Sequence, residues 1–406
     1  MSRTAGAVVV GAGIVGVSTA FNLARLGIKD VVVLERKRVA AEASQLSAGL
    51  VRTHYSNAPE ARVALRGLHW FENWAELVGG NPGFHRTGLA NPVAREDHDK
   101  LRRNVAMLQR VGVDTQLVGP EELVEMEPSM LVDEDQLAAY EPRSGYANPA
   151  ATTHAMADAA RRLGAEIREV VTVTAIRTEG GRIAGVETSE GTISSPVVVL
   201  ANGAWSVPLA AGVGVAIPIE PLAVRLAFIQ RPQGLRRGWG AHLVLLDRAN
   251  GSYIRPDGED LSMIGLAVER VEIPTADDYE TAAPPSAEFE DLARAQAARR
   301  FPGFAQVPVI GRHSGPIDAT PDLCAIIDRV QPEGLYLGVG LSGSGFKKGP
   351  AIGEAVAELV ALGESRTTPI PEFRLSRFAE NDPITGEGYV VSQESRAIFG
   401  SDSIVH

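Results

Sequence analysis

The sequence predicts a mixed α/β protein, α+β overall. A parallel layer assembled from three separated segments carries an inserted domain built on an antiparallel sheet. Three observations predict this. The glycine turn Gly11-Ala12-Gly13-Ile14-Val15-Gly16 stands between an apolar run, Ala7 to Val10, and a helical pattern that ends at Gly27. A second glycine-rich segment, Gly338 to Gly345, extends from an apolar run that starts at Leu335, near the other end of the chain. Between them, Glu220 to Val271 alternates with a period near 2, the pattern of strands with one buried face.

In chain order, residues 1–35 read as strand, helix, strand. A Ser/Ala/Gly-rich connection covers 36–58. Ala61 to Val78 has helical apolar spacing at Val63, Leu68, Phe71 and Trp74, stopped by Gly79-Gly80-Asn81-Pro82-Gly83. Residues 84–145 differ, with a short strand around Arg86 to Asn91, a charged helix from Arg95 to Val111, and turns at Pro120, Pro128 and Pro142. Asn148 caps a helix that ends at Gly164. Strand-like sequence from Glu166 to Ile176, a hairpin through Gly180-Gly181 and the buried run Val197 to Leu200 then rebuild the first layer. Asn250-Gly251 turns a hairpin in the alternating region, 287–301 is an amphipathic helix, and another helix runs from Pro350 to Leu362. The expected division is 1–83, 146–211 and 313–380 in one domain and 84–145 with 212–312 in a second. The tail, 381–406, receives no role.

At 406 residues and 45% hydrophobic content, two domains are expected. With 39 basic against 50 acidic residues the net charge is −11, and no basic run occurs, which argues against nucleic acid or an anionic membrane as partner. The single cysteine, Cys324, excludes an internal disulfide and a Cys-rich metal site and suits the cytoplasm. Arg3 with the apolar stretch after it mimics a leader, but the glycine turn interrupts it and no targeting segment is expected. Val207 to Ile219 is too short to span a bilayer.

The first turn has the parts of a Rossmann-type dinucleotide site. Gly11 makes the turn, Gly13 lets backbone approach a pyrophosphate, Gly16 lets helix and strand close up, and Ile14 and Val15 open the helix. Glu35, 19 residues past Gly16, ends the next strand and can accept both ribose hydroxyls, with Arg36 beside it. A nicotinamide enzyme does not need the second glycine segment; a flavin enzyme does.

These segments are joined by Ala43-Ser44-Gln45-Leu46-Ser47-Ala48-Gly49-Leu50-Val51-Arg52 and by a valine-rich strand leading to Ala201, Gly203 and Trp205. Together they resemble the glycine oxidase and D-amino-acid oxidase superfamily of FAD enzymes, nearest its sarcosine oxidase and dimethylglycine dehydrogenase branch. The resemblance implies that Ser44 and Ser47 reach phosphate or flavin edge, their alternative being helix capping. It lays Ala48, Gly49 and Leu50 along the isoalloxazine and brings Val173 to the adenine through its backbone. It sets Gly340, Leu341, Gly343, Ser344, Gly345 and Phe346 at the pyrimidine end of the flavin, where N–H donors and a helix start stabilise developing negative charge. Lys347 and Arg52 then hold the substrate carboxylate, the alternatives being a solvated lysine and a structural ion pair. Only five lysines stand among 34 arginines, and two of them, Lys347 and Lys348, fall in this turn. Tyr253 and Arg255 share one face of a roof strand and can meet substrate. His54 is a candidate at the pocket entrance and acceptor of an ammonium proton.

Two departures from the branch carry information. Its monomeric oxidases attach FAD through a cysteine shortly before a Thr-Pro-Asp; here Thr320-Pro321-Asp322 is present but Gly315 stands at the matching position, so noncovalent FAD is expected. Those oxidases also place an oxygen-activating lysine on the roof strand. Leu261 to Glu269 contains none, and Gly265 is the matching residue.

The implied activity is FAD-dependent oxidation of the C–N bond of a small amino acid, or of a secondary or tertiary sarcosine-like amine, to an imine that water hydrolyses. The electrons then pass to O2 or, in the alternative reading, to a carrier protein or quinone, with the chain as one subunit of a complex. A flavin-bearing scaffold subunit and an NAD-dependent dehydrogenase are the readings from other classes. Oligomeric state and substrate identity are not legible.

Overall fold

The computed structural model describes residues 3–235, 238, 240–267, 270–284, 286–390 and 404–405. At its centre lies a six-stranded sheet in the order Ile326–Val330, Leu335–Val339, Val198–Leu200, Ala7–Val10, Val31–Glu35, Glu166–Glu169. All neighbours are parallel except the first pair. The apolar runs lie in this sheet because both its faces are covered. Val9 and its neighbours pack under helices Ile14–Arg25, Pro149–Arg162 and Gly345–Leu362. Val8 and Val10 face the other side, toward Val186 and Ile193 of a small sheet formed by Arg3–Thr4, Gly191–Ser194, Arg182–Thr188 and Val173–Glu179.

Three expected elements are corrected. The strand-like stretch from Glu166 to Ile176 is two strands in two sheets. It breaks at Val170, which adopts φ 62°, a conformation a β-branched residue rarely takes, and the Val171 N–H donates to the Glu35 carbonyl. The helix expected from Ala61 begins at Ala58 because the Asn57 side chain accepts the Glu60 N–H at 2.9 Å, and it is interrupted at Asn73 before a last turn, Trp74–Leu77. The helix expected from Pro350 begins at Gly345 and contains that proline. Tertiary packing overrides the local signal. Gly349 and Gly353 bring this helix against the first one so closely that added Cβ atoms would lie 2.7 Å from Ile14 Cγ1 and 2.5 Å from Ser18 Cβ.

A second, mainly antiparallel sheet of nine strands roofs the first layer. Glu220–Gln230, Leu261–Leu266, Ser252–Asp257 and Val244–Asp247 are consecutive neighbours, and Val244–Asp247 lies parallel to Leu89–Val93. Val309–Ala319, for which the sequence reading assigned no strand, pairs with Glu220–Gln230 along its whole length. The expected seam at residue 313 therefore falls inside a continuous strand. Among the described residues no helix is long and apolar enough to cross a membrane.

Candidate active site

A trench of three adjoining cavities, about 350, 130 and 460 Å³, runs between the two layers, starting at the carboxyl ends of the parallel strands. The first is built by the amino-terminal turn. Gly11 takes φ 100°, and a Cβ there would lie 2.8 Å from the Ala201 carbonyl oxygen. Gly16 stays behind the wall, where a Cβ would lie 1.9 Å from the Gly11 carbonyl oxygen, so its role is the close approach of helix to strand. Gly13, Ile14 and Val15 line the cavity. Glu35 reaches its rim. One carboxylate oxygen accepts the Ala12 N–H at 2.8 Å and the other accepts the Lys37 N–H at 2.8 Å, so the acid braces the turn while keeping lone pairs for a ligand.

Val173, Ala201, Gly203 and Trp205 complete this cavity. Arg36 stacks 4.2 Å over the Trp205 ring and pairs with Asp277 at 2.6 Å, and Trp205 Nε1 donates to the same carboxylate at 3.1 Å. The hydrogen bond from Arg36 is the chief reason Asp277 is held below the usual aspartate range. Asp277 is 241 residues from Arg36, and no local pattern could have pointed to it.

The middle cavity links the ends. It shares Ser44 and Leu341 with the first cavity, and Ser47, Ala48, Tyr253 and Gly343 with the third. The Ser44 hydroxyl accepts the Ile14 N–H at 2.9 Å at the start of the first helix, and the residue lines the trench. Ser47 accepts the Gly49 N–H at 3.2 Å. Gly49 itself is turned to the wall, with φ 70° and a Cβ position 2.4 Å from the Ala147 carbonyl oxygen, whereas Leu50 faces the third cavity. Gly345 and Phe346, the first residues of an 18-residue helix, line the middle cavity and direct the helix's positive end at it. Gly340 is not on the lining; its N–H donates to Asp318 at 2.7 Å. Asp318, missed in the sequence, is buried at this junction, and desolvation pushes its carboxyl up to about 6.

These residues fit FAD. Bare backbone lines the cavity at Gly11, where geometry excludes a side chain, and at Gly13, where a pyrophosphate would approach. An acid stands at the ribose position, and the trench continues past a helix start.

The third cavity is cationic. Arg52 lies on its wall, its guanidinium 4.3 Å from the Tyr55 ring centre and donating to the His54 carbonyl. Lys347 Nζ is 5.9 Å from the same ring. Both are buried, and neither has a carboxylate partner among the described residues. Burial, then the charges of Arg52 and Lys348, hold the Lys347 ammonium well below the usual lysine range. Lys348 Nζ lies 5.0 Å from the same Tyr55 ring but is fully buried in an ion pair with Glu60. Arg248 also lines this cavity and was not foreseen. Its Nε donates to Asn91 at 3.3 Å, and burial followed by repulsion from Arg52 lowers it to about 9. Ser344 and Tyr253 complete the lining that the sequence anticipated.

Besides Gly16, Gly49 and Gly340, two expected site residues lie off the cavity lining, Arg255 and His54. Arg255 donates to the Ala48 carbonyl at 2.6 Å and to Asp257 at 2.7 Å, so it anchors the 48 loop. Same-face alternation placed it beside Tyr253, but a carboxylate two residues away and the loop carbonyl draw it off. His54 is 1% exposed with Nε2 2.9 Å from the Tyr389 hydroxyl, behind Arg52 rather than at an entrance. Burial, then Arg248 and Arg52, lower its pKa well below the usual histidine value.

Pro383, Ile384, Thr385 and Gly386, from the tail that received no role, line the same cavity. They are tied down by Asp322, which accepts the Ile384 N–H at 3.0 Å and pairs with buried Arg377 at 2.8 Å. Residues 391–403 and 406 of that tail lie outside the described residues. At Gly315 a Cβ would lie 2.9 Å from Leu46 Cβ. Cys324 edges the third cavity with its thiol pushed up by burial.

A family model described as "FAD dependent oxidoreductase" (DAO) matches residues 7–359. Among characterised proteins, the chain is 30% identical to 4-methylaminobutanoate oxidase (formaldehyde-forming) of Paenarthrobacter nicotinovorans, over 88% of this chain and 43% of that protein. It is 26% identical to sarcosine oxidase subunit beta of Rhodobacter capsulatus, over 92% and 88% of the two chains. The chain thus spans less than half the length of the first relative and most of the second. Among solved structures, L-proline dehydrogenase from P. horikoshii superposes with a TM-score of 0.85 at 26% identity, covering 94% of this chain and all of that one.

Proposed function

The chain belongs to the FAD dependent oxidoreductase family, and on that premise we propose that it oxidises the C–N bond of a small amino acid, or of a secondary or tertiary amine bearing a carboxylate, to an imine that water then hydrolyses. The observation that carries this reading is the pair Arg52 and Lys347. They are two buried basic groups beside the Tyr55 ring without a carboxylate ion-pair partner among the described residues, opening on a cavity continuous with the dinucleotide trench. A substrate carboxylate supplies the missing charge, and two donors on it fix the rest of the molecule. The names of the relatives, 4-methylaminobutanoate oxidase and sarcosine oxidase subunit beta, agree with a methylated amine bearing a carboxylate.

Bound FAD supplies the two-electron acceptor. Glu35 and the Gly11–Val15 turn would hold its adenosine and pyrophosphate, and the start of the helix at Gly345 would stabilise the flavin as it gains negative charge. Tyr253 and the Pro383–Gly386 segment close the cavity over the substrate and keep bulk water from the reacting bond. Lys347, poised below the usual lysine range, takes up a proton as the carboxylate arrives.

A second reading concerns the electron acceptor: a dehydrogenase that delivers electrons to a carrier protein or quinone. It is favoured by Gly265, where the ring of Tyr253 occupies the space a longer side chain would need. Anaerobic mixing of holoprotein with sarcosine, dimethylglycine, proline and 4-methylaminobutanoate tests the first reading through bleaching of the visible flavin band. A flavin that stays oxidised with every amine tried defeats it.

A further inference from the structure

The third cavity gathers more basic side chains than one carboxylate can answer. Its two acidic wall residues are already ion-paired, Glu60 with Lys348 through Oε2 and Asp322 with Arg377. Arg52, Lys347, Arg248 and Arg270 all line the cavity, and none forms an ion pair among the described residues. Arg52 spends one donor on the His54 carbonyl and Arg248 one on the Asn91 side chain, both neutral acceptors. Tyr55 and Tyr389 offer Arg52 and Arg248 their ring faces, which soften burial of a cation without neutralising it. Arg52, Lys347 and Arg248 are buried and Arg270 is exposed; burying neighbouring basic groups against mutual repulsion is costly unless an anion joins them.

The four are not one cluster on one element. Arg52 and Lys347 come from the flavin-side loop and helix start and share the Tyr55 ring. Arg248 follows the roof strand Val244–Asp247, and Arg270 precedes Val271–Glu272 at the exposed mouth. One carboxylate bound between Arg52 and Lys347 leaves the roof pair unanswered.

Resting on the proposed amine oxidation, we propose that the substrate carries a second anionic group, received by Arg248 and Arg270. The substrate class is then an acidic amino acid or N-substituted amino dicarboxylate rather than sarcosine itself. A cavity of about 460 Å³ has room for the longer molecule.

The test compares matched probes on the holoenzyme. N-methylalanine and N-methylaspartate, each in both enantiomers, are mixed anaerobically and flavin reduction is followed. Propionate and succinate are titrated as unreactive ligands through the flavin spectrum. The expected result is at least about tenfold faster reduction per unit concentration by N-methylaspartate and about tenfold tighter succinate binding, the worth of one charge-assisted hydrogen bond. Arg248→Met should erase most of both ratios, and Arg270→Met, at the exposed mouth where folding is not at stake, should reduce them. Arg52→Met should instead weaken all four ligands. Equal rates and affinities within each pair overturn the second anion while leaving amine oxidation standing. A flavin reduced by no member of either pair, nor by the simpler amines above, overturns the underlying reading and this one with it. Ratios that survive both arginine substitutions also overturn the assignment.

Discussion

The phenol of Tyr253 lies across the antiparallel pair on Gly265, so close that a Cβ on Gly265 would sit 2.1 Å from the ring carbon Cζ. The glycine is the seat of the aromatic ring, and the ring is the wall of two cavities. Where related oxidases are expected to carry a lysine, this chain carries a tyrosine's footprint. Photoreduced holoprotein should therefore be reoxidised more slowly by air than by an artificial dye. Stopped-flow mixing with air-saturated buffer decides this, and reoxidation that keeps pace with turnover would establish an oxidase.

Gly265→Ala should push Tyr253 into the trench. Overpacking of this kind costs about 1–3 kcal/mol of stability, and the displaced ring should slow flavin reduction by about tenfold or more. Thermal melting and anaerobic reduction rates measure the two effects. A Tyr253→Ala, Gly265→Ala double variant should recover the lost stability, since the clash disappears with the ring.

Arg52→Met and Lys347→Met should each lower kcat/KM by roughly one to two decades, about 1.5–3 kcal/mol, with FAD occupancy nearly unchanged. Lys348→Met should behave differently. It strands the Glu60 carboxylate in the interior, so its signature is lost stability, about 3–5 kcal/mol, beyond any kinetic effect. Because burial and neighbouring cations lower Lys347, an arriving carboxylate restores its proton, and affinity for an unreactive carboxylate should rise as pH falls. Proton uptake on binding, read by calorimetry in two buffers, checks the sign.

His242 links stability to pH. Its ring nitrogens are bonded to the Leu243 carbonyl at 2.7 Å and the Ser262 hydroxyl at 2.9 Å, and burial lowers it from 6.5 to about 4. Between those values the unfolded chain binds the proton and the folded one does not. Stability should therefore fall as pH drops from about 6.5 to about 4, by up to about 3 kcal/mol from this residue. His54, lowered in the same direction, adds to the slope. Denaturant melts of His242→Gln should show a shallower acid limb than the parent.

FAD should be held without a covalent bond. Leu46 fills the space beside Gly315, and the Cys324 thiol is kept protonated by burial. Acid precipitation should release all visible colour into the supernatant, and colour retained in the pellet would locate an attachment through another residue.

The sequence made the trench legible wherever function depends on local backbone. The turn at Gly11, the acid at Glu35 and the helix start near Gly345 are each set by a few adjacent residues, and glycine and apolar spacing report them. What it hid are pairings made at a distance. Asp277 with Arg36, Asp322 with Ile384, and His54 with Tyr389 leave no periodic trace, because each depends on where the sheets set the chain. Arg255 was misread for the same reason. Alternation gives the face of a strand, but not the carbonyl that takes the side chain away. Arg248 had no motif around it, and its significance appears only when the cavity shows that no acid answers it.

The Pro383–Gly386 wall divides the trench by chain position. The adenosine end of the trench is complete once Leu335–Val339 and the turn after it are made, since every other contributor lies earlier in the chain. The cationic cavity still lacks a side at that moment and acquires it only when residues 383–389 are synthesised and locked by Asp322 and His54. The two ends of the trench are thus closed by separate stretches of chain, so the reactant end can be opened or altered at its carboxyl-terminal wall without touching the residues that line the adenosine end.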